Sequence, residues 1–168
     1  MELPIEFFAG LGRVVVAWSQ FEHNLAATTM NLITPDIDTA ISVVKELRFR
    51  ALADAALNVY RAHIGEDSGL KDLSAIIKRA EKLEPQRNQL VHATYFMRAD
   101  LSKTKVALFK VSAKRKGIKR VSKFIEVHDL DSLAHDIGQL SNDLLALYHR
   151  LIEQGKTKYI RMAKIPGG

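Results

Sequence analysis

A short stretch in the middle of the chain brings together side chains that can handle phosphate groups and protons. It covers residues 85–95 and reads PQRNQLVHATY. Arg87 offers a guanidinium that can stabilise a phosphate, and His92 offers an imidazole that exchanges protons near neutral pH. Asn88 lies four residues before His92, on the same helical face, where its amide could orient the imidazole. The residue types and their spacing favour chemistry at a phosphate.

Pro85 bears on how this stretch is positioned. A proline inside a helix removes a backbone donor and clashes with the preceding turn, so the helix is expected to kink or restart there. A restart would place Arg87 in a first turn, beside unpaired N–H groups that favour an anion. Arg87 and His92 are five residues apart, about 140° around a helix, so one copy cannot aim both at one atom. A second copy across a two-fold axis would bring two of each into one cleft.

In this helical context, the motif RNQLVH at residues 87–92 resembles the HEPN superfamily. Ribonuclease members of that superfamily carry Arg, a polar residue and then His, near the start of a late helix of a bundle. The resemblance covers roughly residues 1–96 and 128–154. It implies metal-independent RNA cleavage in which the ribose 2′-hydroxyl attacks the neighbouring phosphate.

The resemblance also implies roles for individual residues. His92 would move a proton, and Arg87 would stabilise negative charge on the pentacoordinate phosphate. Asn88 would orient His92 or bind a phosphate oxygen. The cleft would be shared by the two copies of a homodimer, and no metal ion or cofactor is expected.

Two further residues are candidates for supporting roles. Glu22 could form an ion pair with Arg48 or Arg50, or it could orient the active histidine. Tyr95 could assist catalysis or serve as a core residue at a buried edge. Toxin members of one HEPN subfamily carry a tyrosine two residues after the histidine, whereas Tyr95 follows His92 by three residues. That subfamily is therefore not assigned.

Composition limits the class of protein. The chain has 168 residues, of which 47% are hydrophobic, enough for one domain with a sizeable core. The absence of cysteine excludes disulfides and thiolate metal sites, and no two histidines stand at helical ligand spacing. There is no apolar run of about 18 residues and no signal-peptide pattern at the N-terminus. We expect a cytoplasmic protein without a membrane segment.

The net charge of +6 is concentrated in one segment. Residues 103–123 hold nine basic residues and no acidic one, and removing those nine leaves 16 basic residues against 19 acidic. The pattern indicates contact with a polyanion such as RNA, although lysines also protect an exposed sheet edge from aggregation. The RNA-binding candidates are Lys105, Lys110, Lys114, Arg115, Lys116, Lys119, Arg120 and Lys123.

Apolar periodicity predicts four helices. The first covers residues 5–33 and the second about 38–63. The third follows a turn at 65–69 and runs through Pro85 into the motif, and the last follows a cap at 128–131. The last helix carries more apolar surface than one internal face requires, at Leu145, Tyr148 and Ile152, and the excess could be a dimer face.

Between the third and last helices the pattern changes to that of β-structure. Short segments rich in β-branched and aromatic residues occur at 94–97, 105–111 and 121–127. They predict two or three antiparallel strands. The expected fold class is mainly α, an antiparallel four-helix bundle with a basic β-hairpin or ribbon inserted between helices 3 and 4.

The expected domain organisation follows from these elements. Residues 1–155 would form a single HEPN-like domain, with the β insert at about 94–127. Residues 156–168 would form a basic, loosely ordered tail.

Three functions remain open from the sequence. The first is a metal-independent endoribonuclease of a toxin or antiviral defence system, with a cognate antitoxin or regulator protein as a further partner. The second is a non-catalytic homodimeric module that binds a nucleotide, nucleic acid or a partner protein. In that case Arg87 and His92 would be ligand contacts, structural residues or part of a dimer interface. The third is a duplex-DNA binder that uses the basic ribbon.

Overall fold

The protein is mainly helical, with one small antiparallel sheet. The computed structural model describes residues 3–34, 36–96, 105–114 and 117–157, with the backbone alone at Ile37, Phe96, 111–119 and Val121. In chain order the elements are α1 (Ile5–Ile33), α2 (Ile37–Val44), α3 (Phe49–His63), α4 (Ser68–Val91), β1 (Thr94–Phe96), β2 (Lys105–Lys114), β3 (Gly117–Glu126) and α5 (Val127–Glu153). Within these ranges, no helix has the length and apolar composition needed to cross a lipid bilayer.

Helix α1 has the bounds that its periodicity predicts. Apolar residues recur at steps of three and four, and the resulting stripe is buried. Its buried members are Phe7, Val14, Trp18, Phe21, Leu25 and Leu32. Two buried threonines satisfy their hydroxyls within the helix, because Thr28 and Thr29 donate to the carbonyls of Asn24 and Leu25.

The prediction of one helix over residues 38–63 is wrong, because the chain forms α2 and α3 there. The carboxylate of Asp36 accepts from the backbone N–H of Asp38 and caps α2. Arg48 has extended backbone angles, φ −75° and ψ 161°, and its side chain makes no capping bond. Buried Val44 of α2 and buried Phe49 of α3 lie on either side of the break. No proline or glycine marks the break, so periodicity alone could not reveal it.

The chain divides into two compact units, each built from two separate segments. One unit comprises Met1–Ser19 and Ala80–Gln139, and the other comprises Gln20–Arg79 and Leu140–Gly168. We call them the motif unit and the distal unit, because the first contains residues 85–95.

The sheet belongs to the motif unit and has the strand order β1-β2-β3. Both pairs of neighbouring strands are antiparallel, with Tyr95 opposite Leu108 and Val106 opposite Ile125. Leu108, Val106 and Ile125 are buried, so one face of the sheet belongs to the core of this unit. Strand β2 is longer than predicted, extending to Lys114.

Strand β3 passes directly into α5 within the motif unit. The strand ends at Glu126 and the helix starts at Val127. The carboxylate of Asp129 accepts from the backbone N–H of Glu126 at 2.9 Å, which satisfies a donor at the helix start. Further along, Asp131 pairs with Arg13 of α1 at 2.6 Å. These contacts fix the beginning of α5 beside the sheet.

A carboxylate in the distal unit ties three parts of the chain together. Asp67, just before α4, accepts from the hydroxyl of Tyr60 at 2.9 Å, from the backbone N–H of Leu70 at 3.0 Å and from Nζ of Lys156 at 2.8 Å. These bonds lower the pKa of Asp67 to about 2, with the bond from Lys156 as the largest cause. Tyr60 is buried, and burial raises its pKa well above its usual value.

Two exposed ion pairs also link helices within the distal unit. Arg79 pairs with Asp143, and Arg150 pairs with Asp72. Lys156 is the first residue of the predicted tail, and residues 158–168 of that tail lie outside the described part of the chain.

Candidate functional site

Helix α4 places Arg87 near its C-terminal end. The helix continues through Pro85 to Val91, so the predicted restart at Pro85, with Arg87 in a new first turn, is wrong. Pro85 cannot donate to the carbonyl of Glu81 four residues earlier, but both residues are exposed, so water can satisfy that carbonyl. Free backbone carbonyls, rather than free N–H groups, therefore lie near Arg87.

The guanidinium of Arg87 is half-buried and held on two sides. Its Nη1 donates to Oδ1 of Asn88 at 2.8 Å. Its Cζ lies 5.8 Å from the centroid of the Trp18 ring, within range of a cation–π interaction. Its Nε is buried and has no hydrogen-bond partner in the described part of the chain. No pattern in the sequence indicates this contact between Trp18 and Arg87.

Asn88 contacts Arg87 through its side chain. The sequence predicts that its amide orients the His92 imidazole or binds a phosphate oxygen; in the structure its side-chain oxygen accepts from Nη1 of Arg87, and phosphate binding stays a prediction. Its main-chain oxygen accepts from Nζ of Lys110 at 2.8 Å and from the backbone N–H of His92 at 3.3 Å. The two carbonyl oxygens of Asn88 thus anchor a guanidinium, an ammonium and the backbone of the histidine.

His92 is the first residue after α4, and it is exposed. No hydrogen bond between its imidazole and another described residue is present. The ring is therefore accessible to a ligand or to a second protein, and no neighbouring side chain in the described ranges fixes its tautomer.

Together these residues form a cationic group, which we call the Asn88 cluster and define as Arg87, Asn88, His92 and Lys110. Neutral carbonyl oxygens hold Arg87 and Lys110, and neither side chain forms an ion pair with any residue that the structure describes. Because nearby carboxylates do not neutralise these two charges, the cluster favours an anion.

Tyr95 has a structural role. Its hydroxyl donates to the main-chain oxygen of Leu90, and its ring packs edge-on against Phe7 with centroids 4.9 Å apart. Burial raises its pKa to about 12. A phenol with that pKa holds its proton at neutral pH, so Tyr95 fits the role of a packing residue better than that of a catalytic helper.

Glu22 lies in the distal unit and is half-buried on α1. Its predicted ion pair with Arg48 or Arg50 stays a prediction. The alternative, that Glu22 orients the active histidine, stays a prediction.

The eight basic candidates differ in their surroundings. Two of them have partners within the protein: Lys105 pairs with Glu126 across the strands at 3.2 Å, and Lys110 bonds Asn88. Arg120 and Lys123 are exposed. Lys114 and Lys119 lie on β2 and β3, where only the backbone is described, and Arg115 and Lys116 lie outside the described residues.

Lys123 also borders a cavity of about 320 Å³ in the motif unit, with Asp129 and Asp136 in its wall. Gln86 and Leu90 line it from α4. Arg87 is not one of the residues that line this cavity.

The other histidines named here lie at the surface. His63, His128, His135 and His149 are exposed. Across the described ranges, no group of three or more histidine or acidic side chains is placed to hold a metal ion.

Comparisons of the chain with protein-family models, with curated proteins and with solved structures found no match.

Proposed function

We propose that this protein is a metal-independent endoribonuclease of the HEPN type, which acts as a homodimer in a toxin or defence system. The observation that carries the proposal is the Asn88 cluster. Oxygen atoms of Asn88, and not a carboxylate, accept hydrogen bonds from Arg87 and Lys110, and the main-chain oxygen also accepts from the backbone of the exposed His92. The antiparallel four-helix bundle predicted from the apolar seams is part of the same proposal. So are the cytoplasmic location and a cognate antitoxin or regulator as a further partner.

The chemistry of the proposal divides between the two side chains of the motif. His92 would accept the proton of the ribose 2′-hydroxyl or protonate the leaving 5′-oxygen, and a second copy would supply the complementary histidine. Arg87 would stabilise the charge that develops on the phosphate oxygens. Asn88 would act as a positioning residue for Arg87. The products would carry a 2′,3′-cyclic phosphate and a free 5′-hydroxyl.

The half-buried state of Arg87 supports this role. Its contacts with Trp18 and Asn88 restrict the guanidinium to one region, and a restricted donor stabilises a transition state without reorganising. Its Nη2 group is not used in any of the contacts described above and can donate to a phosphate.

The test is cleavage of single-stranded RNA in EDTA, with the product ends identified by mass spectrometry. We expect wild-type protein to generate 2′,3′-cyclic phosphate ends, and Arg87→Ala and His92→Ala each to lower the rate by at least 100-fold. The control is His135→Ala, which removes an exposed histidine of α5 in the same unit. Circular dichroism and light scattering would establish that each variant is folded and has the wild-type oligomeric state.

Undiminished cleavage in both motif variants would overturn the proposal. RNA binding without cleavage by wild-type protein would favour the second function, a non-catalytic binding module. Steeply salt-dependent affinity for duplex DNA without cleavage would favour the third.

A further inference from the structure

The two faces of the β2–β3 hairpin differ in their chemistry. Leu108 is paired with Lys123, and Lys110 lies two residues after Leu108, so both lysines lie on the face that carries buried Leu108. The strand register also places positions 114 and 119, both lysines, on this face of the hairpin. We call this the lysine face.

The opposite face carries exposed aromatic side chains. Phe109 is 38% exposed and Phe124 is 49% exposed. Phe109 is paired with Ser122, two residues before Phe124, so the two phenylalanines are diagonal neighbours on adjacent strands. Such positions are roughly 7–8 Å apart. Arg120 lies two residues before Ser122, on the same face, and is exposed. We call Phe109, Arg120 and Phe124 the aromatic face.

The charge of the hairpin decides what kind of ligand fits this face. Residues 105–126 hold eight basic residues and one acidic residue, Glu126, which is paired with Lys105. Arg120 forms no ion pair with any residue in the described ranges. A ligand that covers the exposed aromatic rings beside the Arg120 guanidinium would present planar apolar groups together with negative charge. Single-stranded nucleic acid does so, because its bases stack on aromatic rings while its phosphates contact basic side chains.

We infer that the aromatic face is a stacking platform for the bases of single-stranded RNA. The inference deepens the proposed function and rests on it for the choice of RNA as the nucleic acid. Two bases would stack on Phe109 and Phe124, and Arg120 would contact the phosphate between or beside them. A duplex is excluded as the preferred ligand, because its base faces are already stacked within the helix.

The first experiment uses the full-length His92→Ala protein, so that the RNA is not consumed. Fluorescence anisotropy would compare a labelled RNA 12-mer, an abasic strand with the same number of phosphates, and a duplex of the RNA. We expect the base-containing strand to bind at least tenfold more tightly than the abasic strand. Equal affinities for the two strands would overturn the inference, because phosphate contacts alone would then explain binding.

The second experiment changes the rings. In the same background, Phe109→Leu and Phe124→Leu should each weaken binding of the RNA by about tenfold and leave affinity for the abasic strand unchanged. Phe→Tyr at either position should retain most of the affinity, since the aromatic ring remains. Phe8→Leu is the matched control: Phe8 is 54% exposed and lies on α1 of the same unit, outside the β2–β3 hairpin.

Two outcomes separate this inference from the proposed nuclease activity. Base-dependent binding by a wild-type protein that does not cleave RNA would reject the nuclease and support the platform. Cleavage by a protein that binds RNA and abasic strands equally would support the nuclease and reject the platform. Loss of dimers in the leucine variants with unchanged RNA affinity would assign the aromatic face to a second copy and also reject the platform.

Discussion

The side-chain oxygen of Asn88 lies 2.8 Å from Nη1 of Arg87, its neighbour in sequence. Consecutive residues of a helix point about 100° apart, so this contact requires the long arginine side chain to lie along the helix surface. The guanidinium consequently lies over Trp18. Because the main-chain oxygen of the same asparagine accepts from Lys110, the positions of both cations depend on Asn88.

Two substitutions of Asn88 should distinguish its role in positioning Arg87 from the effect of added charge in the Asn88 cluster. Asn88→Asp keeps an oxygen acceptor for Arg87 but adds a negative charge to the Asn88 cluster. We expect RNA affinity to fall and the slope of log K against log salt to shrink by about 0.7, the value for one phosphate contact on a single strand. Asn88→Ala should lower the cleavage rate with little change in that slope. An unchanged slope in the aspartate variant would contradict a role for the cluster in phosphate binding.

Lys110 and Lys105 offer a charge-matched comparison. Lys110→Met removes the donor to the main-chain oxygen of Asn88 and should lower both RNA affinity and stability, the latter by about 1 kcal/mol. Lys105→Met removes the same charge from the same strand, but this lysine is paired with Glu126 at the surface. We expect a smaller effect on RNA affinity and almost none on stability. Salt-dependent anisotropy and urea unfolding would measure the two effects. Equal losses of affinity would indicate nonspecific electrostatics.

Tyr95→Phe tests the structural assignment of the tyrosine. The variant loses the hydrogen bond to Leu90 but keeps the ring against Phe7, so the free energy of unfolding should fall by about 1 kcal/mol. With a pKa of about 12, the phenol stays protonated across the neutral range, and the pH profile of RNA cleavage should be unchanged. A rate measurement from pH 5 to pH 9 would check this. If the cleavage rate of the variant no longer rose or fell with pH where the wild-type rate does, Tyr95 would take part in proton transfer.

Gly69 should tolerate no side chain. A Cβ there would lie 2.0 Å from the hydroxyl oxygen of Tyr60, which is buried and bonded to Asp67. We expect Gly69→Ala to lower the free energy of unfolding by about 1–3 kcal/mol, and Tyr60→Phe to recover part of that loss in the double variant.

Gly138→Ala is the control for that experiment. No atom of the described residues lies within 4 Å of a Cβ at Gly138, inside α5, so alanine should stabilise the protein by about 0.5–1 kcal/mol. Thermal and urea unfolding would compare the variants. Equal destabilisation at Gly69 and Gly138 would contradict the packing described around Tyr60.

Asp67 should make stability depend on pH in the acid range. Its pKa is lowered to about 2 from the usual value of 3.8, so its ionised form is favoured by folding. That contribution is complete above about pH 4 and is lost as the pH falls through 2. The stability difference between wild-type protein and Asp67→Asn should therefore be largest at neutral pH and shrink below pH 4. Urea unfolding at several pH values would measure it. A difference that does not change between pH 7 and pH 2 would contradict the bonds from Lys156 and Tyr60.

Sequence patterns predicted much of the fold, because helices and strands leave periodic signatures. The bounds of α1 and the presence of antiparallel strands after the motif both follow from the spacing of apolar residues. The break between α2 and α3 leaves no such signature, since neither glycine nor proline occurs there. Proline interrupts many helices, but Pro85 is exposed and α4 continues through it.

The candidate site was harder to predict than the fold. Residue types identified Arg87, Asn88 and His92, but helical geometry suggested that Asn88 faces His92, whereas the flexible arginine side chain reaches it instead. The contacts of Trp18 and Lys110 join residues that are about 70 and 22 positions from the motif, and no local pattern records such a separation.

The direct passage from β3 into α5 leaves no linker residue between Glu126 and Val127. A ribbon attached in this way cannot swing as an independent arm, because any rotation of its last strand must turn the first residues of the helix as well. Ligand binding on the ribbon would thus act directly on the first turn of α5. Inserting two glycines at this junction would uncouple the last strand from that turn.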